Sequence, residues 1–151
     1  MIKISKLFFL LLFSFLIIAP QKIFADQKLK IGLLIPISEN NREIGEQIIK
    51  TVRMAINDIG DENIEIIVKD TKSNPKDTLK SALELKNENI KIVIGPVFYE
   101  NLSYLDEVDD LIFISLTNRT NNLPNNVISA GINSTSQLNT IKKFIKINKI
   151  N

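Results

Sequence analysis

Residues 28–37, with the sequence KLKIGLLIPI, decide the fold because they form a nearly continuous apolar run. A strand in the middle of a parallel sheet is covered on both faces, so its sequence shows such a run instead of alternating apolar and polar residues. The run predicts a buried strand of this kind. Since parallel neighbours need a crossover connection, the prediction also requires a helix soon after residue 37.

The segment after this strand carries apolar residues at helical spacing. These residues are separated by 4, 4, 3 and 4 positions, which places them on one stripe of an α-helix. Asn40 or Asn41 can cap the start of the helix, and Gly60 marks its end. The stripe consists of Ile44, Ile48, Val52, Ala55 and Ile59.

Strand and helix signals alternate through the rest of the chain. Apolar runs predict strands at 63–70, 91–97 and 111–117 and a brief one at 127–131. The order β-α-β-α-β-α-β-β-α results when the helices are included. This order predicts an α/β fold with an open, mostly parallel sheet and helices on both faces.

Three further helices are predicted from their start signals and stripes. One begins at Asn74-Pro75 and has Leu79, Ala82, Leu83 and Lys86 on one face. A shorter helix is expected at about 101–108. The last follows a capping box, Ser134-x-x-Gln137, and places Leu138, Ile141 and Ile145 on one stripe.

The composition excludes several classes of chemistry. The 151 residues suit one domain and include no Cys and no His, which excludes His-dependent triads, thiol nucleophiles, thiolate zinc sites and disulfides. The acidic residues at 106–110 lack the spacing of an EF-hand and are interpreted as a solvated loop, so no metal site is predicted. No glycine-rich nucleotide motif is present, and no cofactor is expected.

The first 25 residues have the order of a secretory signal peptide. Lys3 and Lys6 precede thirteen residues, 7–19, in which only Ser14 is polar, and this run is short for a membrane-spanning helix. Ala25 suits cleavage before the next residue. We therefore predict a signal peptide at 1–25 and a periplasmic domain at 26–151. An uncleaved signal is the alternative, and it would be the only route to membrane association.

The predicted exported domain is nearly neutral. Without the signal, 16 basic residues face 17 acidic ones. A protein that binds nucleic acid through its phosphates needs an excess of positive charge. No nucleic-acid partner is therefore predicted.

The predicted strand ends carry the groups that could bind a ligand. In an open parallel sheet, ligands meet the carboxyl ends of the strands. Three of the four main ends are rich in hydroxyls and amides, which suits a small polar ligand or the backbone of a partner protein. Glu39 and Asp70 also fall near this edge, and paired carboxylates leave acid–base catalysis on cell wall as a minor alternative.

Six ordered segments between Lys28 and about Ile147 resemble type 1 periplasmic binding proteins. The resemblance is specifically to the leucine-binding-protein-like domain of penicillin-binding protein activators, the LppC family. The segments are IGLLIPIS at 31–38, GE at 45–46, KDTKSNP at 69–75, IVIGPVF at 92–98, IFISLTN at 112–118 and SAGI at 129–132, followed by Gln137.

This resemblance implies a non-catalytic binding domain that supports peptidoglycan synthesis together with a cell-wall synthase. The alternative is the substrate-binding component of an ABC-type transporter for branched-chain amino acids, in which hydroxyls and backbone groups hold the ligand between two lobes. In either case the chain would supply the N-terminal lobe, with the second lobe absent. Carried over to this sequence, the ligand-binding residues would be Ser38, Tyr99, Ser115, Thr117 and Asn118.

Two residues at this edge depart from the pattern of the amino-acid binders. Those proteins usually have Ser or Thr near Tyr99, where a ring would crowd the pocket, and Gly at the position of Glu39. Both departures weigh against amino-acid transport.

Overall fold

The computed structural model describes residues 28–149, and the predicted signal peptide lies outside this range. The elements alternate between strand and helix as expected. They are β1 (Leu29–Ile35), α1 (Arg42–Ile59), β2 (Ile64–Asp70), α2 (Pro75–Asn87), β3 (Ile92–Ile94), β4 (Ile112–Ser115), β5 (Val127–Ser129) and α3 (Ser134–Ile147). No helix within 28–149 has the length and apolar character needed to cross a membrane.

The strands form a parallel sheet in the order β2-β1-β3-β4-β5. The chain steps from β1 to β2 in one direction and from β2 to β3 in the other. Since such crossovers are right-handed, α1 and α2 lie on opposite faces of the sheet. The predicted open parallel sheet with helices on both faces is confirmed, and its topological switch point lies between β1 and β3.

The main core lies on the α2 face of the sheet. Phe113 and Val93 point from β4 and β3 toward Leu85 and Ala82 of α2, and all four side chains are fully buried. Burying a large apolar side chain stabilises a domain by about 1.5–3 kcal/mol. The cluster is completed by Leu34, Ile90, Leu102, Leu105, Val108, Leu111 and Val127.

The predicted helix at 101–108 is wrong. The segment instead forms two 3₁₀ turns, Tyr99–Leu102 and Leu105–Glu107. Its buried side chains Leu102, Leu105 and Val108 recur every three residues, which matches the three residues per turn of a 3₁₀-helix. The spacing of the core positions is therefore compatible with the tighter geometry.

Two details of the helices also differ from the predictions. In α2 the buried stripe runs through Thr78, Ser81 and Leu85, whereas Leu83 is 43% exposed. Hydrophobic periodicity missed this stripe because Thr78 and Ser81 are polar residues. The buried Ser81 hydroxyl has a hydrogen-bond partner, since it donates to the Asp70 carbonyl at 2.8 Å. In α3 the cap is Asn133, whose side chain accepts from the Ser136 N–H at 2.9 Å.

The first turn of α1 is fixed against the end of β1. A Cβ at Gly45 would clash with the Pro36 carbonyl, a backbone atom that cannot move aside. Only glycine allows this approach, which sets the position of the connecting loop at 37–41. Gly60, at the other end of the same helix, has a left-handed φ of 67° and open space around it.

We predict that Gly45→Ala destabilises the fold by about 3 kcal/mol, because the added methyl forces α1 away from β1. Gly60→Ala is the matched control and should cost only the left-handed strain of about 1–2 kcal/mol. Urea unfolding of both variants measures the difference. Equal losses would contradict the close packing at Gly45.

Candidate functional site

The Asp70 carboxylate joins the ends of β1 and β2. The two strands pair with Ile35 opposite Asp70, so the loops that follow them meet at one edge of the sheet. The carboxylate accepts hydrogen bonds from the Ser38 hydroxyl at 2.6 Å, the Ile37 N–H at 3.0 Å and the Lys72 N–H at 2.9 Å. One acidic side chain thus fixes both loops.

These contacts keep Asp70 ionised. Partial burial acts to raise the pKa of the Asp70 carboxyl, but the hydrogen bonds from Ser38, Ile37 and Lys72 and the positive charge of Lys72 act in the opposite direction. The balance holds the pKa below its ordinary value of 3.8. A hydrogen-bonded carboxylate of this kind is an anchor at neutral pH, not a proton donor.

A polar depression of about 320 Å³ lies beside this anchor. The Asn41 side-chain N–H donates to the Ser73 hydroxyl at 2.8 Å across it. Its backbone is unusual, because Glu39, Lys72 and Ser73 all have left-handed φ angles. The lining consists of Glu39, Asn40, Asn41, Lys72, Ser73, Asn74 and Asp77.

A second group of hydrogen bonds joins the ends of β3 and β4. The Ser115 hydroxyl is fully buried, donates to the Pro96 carbonyl at 2.9 Å and accepts from the Thr117 N–H at 3.3 Å. The Thr117 hydroxyl, on a side chain only 4% exposed, accepts from the Arg119 N–H at 3.3 Å. Both hydroxyls therefore hold the backbone of their own loops.

Tyr99, which is half-buried against the core, and the exposed Arg119 form the outer part of this second group. The Arg119 guanidinium lies 4.5 Å from the centre of the Tyr99 ring, within range of a cation–π interaction. The Tyr99 hydroxyl lies 3.4 Å from the Asn122 carbonyl, so the ring spans the loop at 118–126. An open cavity of about 360 Å³ beside them is lined by Tyr99, Leu102, Ser103, Asp106, Asn122, Leu123 and Pro124.

The carboxyl ends of the parallel strands lie at one edge of the sheet, which we call the carboxyl edge. The five predicted ligand-binding residues all follow strands at this edge, but they belong to two groups. Ser38 lies with Asp70 beyond β1 and β2. Tyr99, Ser115 and Thr117 lie together beyond β3 and β4, and Asn118 is exposed next to them. Of these side chains, Ser38, Ser115 and Thr117 already have partners within the protein.

Sequence reasoning placed Asp70 near this edge but missed its central role, and it missed the contact made by Arg119. Asp70 is the centre of the first group, and the register of two parallel strands that both end here could have indicated it. Arg119 contacts Tyr99 although 19 residues, including strand β4, separate them in the sequence, and no local pattern signals such a contact. Long flexible side chains in polar loops can reach many positions.

Nothing in the site assembles a metal centre. Within residues 28–149 no group of three or more Asp and Glu side chains is placed to hold an ion. One member of the acidic cluster, Asp110, instead pairs with Lys86 at 2.7 Å. That hydrogen bond raises the pKa of Lys86 and lowers that of Asp110.

We predict that Asp70→Asn destabilises the protein by about 1–2 kcal/mol at pH 7, because three donors lose a charged acceptor. A carboxyl whose pKa is lowered by folding stabilises the protein above the pKa of the unfolded chain, near 4, and this contribution disappears as the pH falls through the folded pKa. The parent should therefore lose more stability than Asp70→Asn between pH 5 and pH 3. Urea unfolding across this range tests the slope.

Asp58→Asn is the control for this experiment, since it removes the same charge from an exposed position on α1. Its pH slope should match that of the parent. If Asp70→Asn showed the same dependence of unfolding free energy on pH as the parent, this result would contradict the anchoring role of Asp70.

Comparisons with known proteins agree on the fold. A family model described as "Periplasmic binding protein" matches residues 28–146. A search of curated proteins finds no match.

Solved structures of two kinds are similar to this chain. The C-domain of LpoA from Haemophilus influenzae, described as a regulator of PBP1A, is 21% identical, with a TM-score of 0.65 over 81% of this chain and 38% of its own. A solute-binding protein of an ABC transporter from Rhodopseudomonas palustris, in complex with 3,4-dihydroxybenzoic acid, is 23% identical, with a TM-score of 0.56 over 60% and 27%. The leucine-binding protein LivK from Thermotoga maritima is 16% identical, with a TM-score of 0.54 over 59% and 27%.

At these identities the likeness establishes a shared fold, and the chain spans between about a quarter and two fifths of the length of these structures. The neighbours include a regulator of PBP1A, a solute-binding protein and a leucine-binding protein, all of them described as binding or regulatory proteins. The family match covers most of residues 28–149 and agrees with the parallel sheet and its order. The chain therefore belongs to the periplasmic binding protein family.

Proposed function

We propose that this chain is an exported, non-catalytic binding lobe that supports peptidoglycan synthesis by contacting a cell-wall synthase. The observation that carries the proposal is that the hydroxyls at the carboxyl edge are hydrogen-bonded within the protein. Ser38, Ser115 and Thr117 are the groups that would hold a small ligand, and each is engaged in hydrogen bonds within the protein.

Because these hydroxyls already form hydrogen bonds within the protein, binding of a small solute is disfavoured. A ligand's carboxylate or amine would have to replace the bonds from Ser38 to Asp70 and from Ser115 to Pro96. Leaving a buried polar group without its partner costs about 1–3 kcal/mol. The edge is built to hold its own loops in place, and preformed loops are the usual basis of a protein-binding surface.

The exposed side chains at this edge suit a protein partner. Tyr99 and Arg119 form a stacked pair beside the exposed amide of Asn118. Tyrosine and arginine are enriched at the energetic centres of protein interfaces, where they combine apolar area with hydrogen bonding. The Tyr99 ring also stands where an amino-acid binder would offer a small hydroxyl.

The structural neighbours support this proposal without deciding it. LpoA is described as a regulator of PBP1A, which makes a synthase the natural class of partner to test. The alternative is the substrate-binding component of an amino-acid transporter, favoured by the fold shared with a leucine-binding protein. That role requires hydroxyls free to meet a ligand.

The contacts of Asp70 support a non-catalytic role. Of the two acids considered for catalysis, Asp70 accepts three hydrogen bonds, and its pKa is lowered. A general acid at neutral pH needs a raised pKa. Asp70 is therefore unsuited to protonate a leaving group. Its carboxylate oxygens are also occupied by the Ser38 hydroxyl and two backbone amides, which disfavours a role as a base or nucleophile.

We predict that a purified penicillin-binding synthase from the same organism binds the chain through the carboxyl edge. Arg119→Ala should weaken binding at least tenfold, because it removes the cation stacked on Tyr99. Arg53→Ala removes the same side chain from an exposed position on α1 and should leave binding unchanged. Biolayer interferometry with immobilised synthase compares the three proteins. Equal binding by both variants would argue against this edge as the interface.

The transporter alternative has its own test. A ligand present at 100 times its Kd stabilises the native state by about 2.7 kcal/mol, which raises the unfolding midpoint of a domain of this size by roughly 10 °C. We expect leucine and benzoate at 10 mM to leave the midpoint within about 1 °C. A rise of several degrees with leucine would support the transporter component over the synthase partner.

A further inference from the structure

Within residues 28–149, one face of the sheet is uncovered over β3, β4 and β5. The strand register places Ile92 beside Ile112 and Ile94 beside Ile114. Ile128 in turn lies beside Ile114, and all five side chains are on the face opposite α2. Three of these side chains remain well exposed, at 38% for Ile92, 49% for Ile112 and 59% for Ile128. A contiguous apolar surface of this kind marks an interaction site. We call these five isoleucines the open face.

Helix α1 lies on the same side of the sheet but covers a different part of it. The β1 side chains Leu33 and Ile35, which point to the α1 side, are fully buried. On β3 and β4 the same face is exposed, and on β1 it is exposed only at the start of the strand, at Leu29. A parallel sheet normally has helices on both faces, so the open face lacks the helix that this architecture requires.

Helix α3, in contrast, has an apolar face that packs against no sheet within residues 28–149. It is amphipathic, yet every one of its residues is exposed. The side chains of its apolar stripe are 50% exposed at Leu138, 55% at Ile141 and 42% at Ile145. The chain thus presents one sheet face without a helix and one helix without a sheet.

The charges of the two parts are also complementary. Residues 134–149 carry four Lys and no acidic residue. Residues 28–133 carry 16 Asp and Glu against 12 Lys and Arg. A basic helix and an acidic body attract each other, whereas two copies of α3, with three Lys each, would bring six positive charges into proximity if they packed together.

The link between β5 and α3 directs the helix away from its own sheet. The Ala130 N–H donates to the Ser115 carbonyl at 2.8 Å, and the Ser129 hydroxyl donates to the Thr117 carbonyl at 2.8 Å. A Cβ at Gly131 would clash with that same Thr117 carbonyl, so the link is packed tightly on the end of β4. These contacts hold the start of α3 at the carboxyl edge instead of over the open face.

From these observations we propose that the open face binds helix α3 of a second copy of this chain. Each copy supplies a helix and receives one, which buries both apolar surfaces and pairs the basic helix with an acidic body. The widths agree, since an α-helix is about 10 Å wide and three strands at a spacing of about 4.8 Å present a similar width. This proposal is independent of the synthase partner.

Sedimentation velocity of the purified protein between 5 and 200 µM tests the proposal. We expect the parent to form a dimer that weakens at 0.5 M NaCl, because the pairing of opposite charges is screened. The helix variant Leu138→Gln/Ile141→Gln and the face variant Ile112→Thr/Ile128→Thr should each dimerise at least 100-fold more weakly. All four positions are exposed and receive residues suited to their element, so both variants should fold, which circular dichroism checks.

Mixing the two variants provides the decisive step. The helix variant keeps an intact open face and the face variant keeps an intact α3, so one of the two contacts survives in a mixed pair. We expect heterodimers in the mixture at concentrations where each variant alone is monomeric. A monomeric parent at 200 µM, a dimer unaffected by the face variant, or a mixture without heterodimers would each overturn the proposal.

Discussion

The parallel pairing of β1 with β2 on one side and β3 on the other is the constraint on which the structure depends. It places the first strand inside the sheet, sends α1 and α2 to opposite faces and sets the switch point at the carboxyl edge. It also brings the ends of β1 and β2 together, where the Asp70 carboxylate receives the Ile37 and Lys72 amides and the Ser38 hydroxyl. The geometry of the binding edge follows from that register.

At this edge the polar groups mostly hold the protein itself. The same Ser and Thr side chains that a small-molecule carrier would turn toward its ligand are here bonded to Asp70, to Pro96 and to the Arg119 amide. The groups that face solvent are the Arg119 guanidinium, which stacks on the half-buried Tyr99 ring, and the neighbouring Asn118 amide. A fold shared with solute carriers can therefore present a fixed surface to a protein, since function depends on the groups left free and not on the fold alone.

Much of this architecture could be predicted from sequence because its signals are local. The apolar run at 28–37, the glycine stop at 60 and the Asn74-Pro75 helix start each depend on neighbouring residues, and all three correspond to observed elements. The two 3₁₀ turns at 99–107 were missed because spacings of three suit both helix types over so short a segment. The partners of Ser38, Ser115 and Thr117 were beyond prediction, since hydrogen-bond partners across loops depend on tertiary placement. The sequence of α3 also did not reveal that this helix is exposed on all sides. An amphipathic pattern shows that a helix needs a partner, but it does not show which partner the helix has.

Amide hydrogen exchange measured by NMR tests most directly whether the carboxyl edge is a preformed surface held by its own side chains. The Ile37 and Lys72 amides donate to Asp70, and the Thr117 amide donates to Ser115, although all three lie in loops. We expect these amides to exchange at least 100-fold more slowly than in an unfolded chain and to keep their rates when 10 mM leucine is added. Exchange at unfolded-chain rates, or new protection that appears only with leucine, would show that the edge is open and awaits a small ligand.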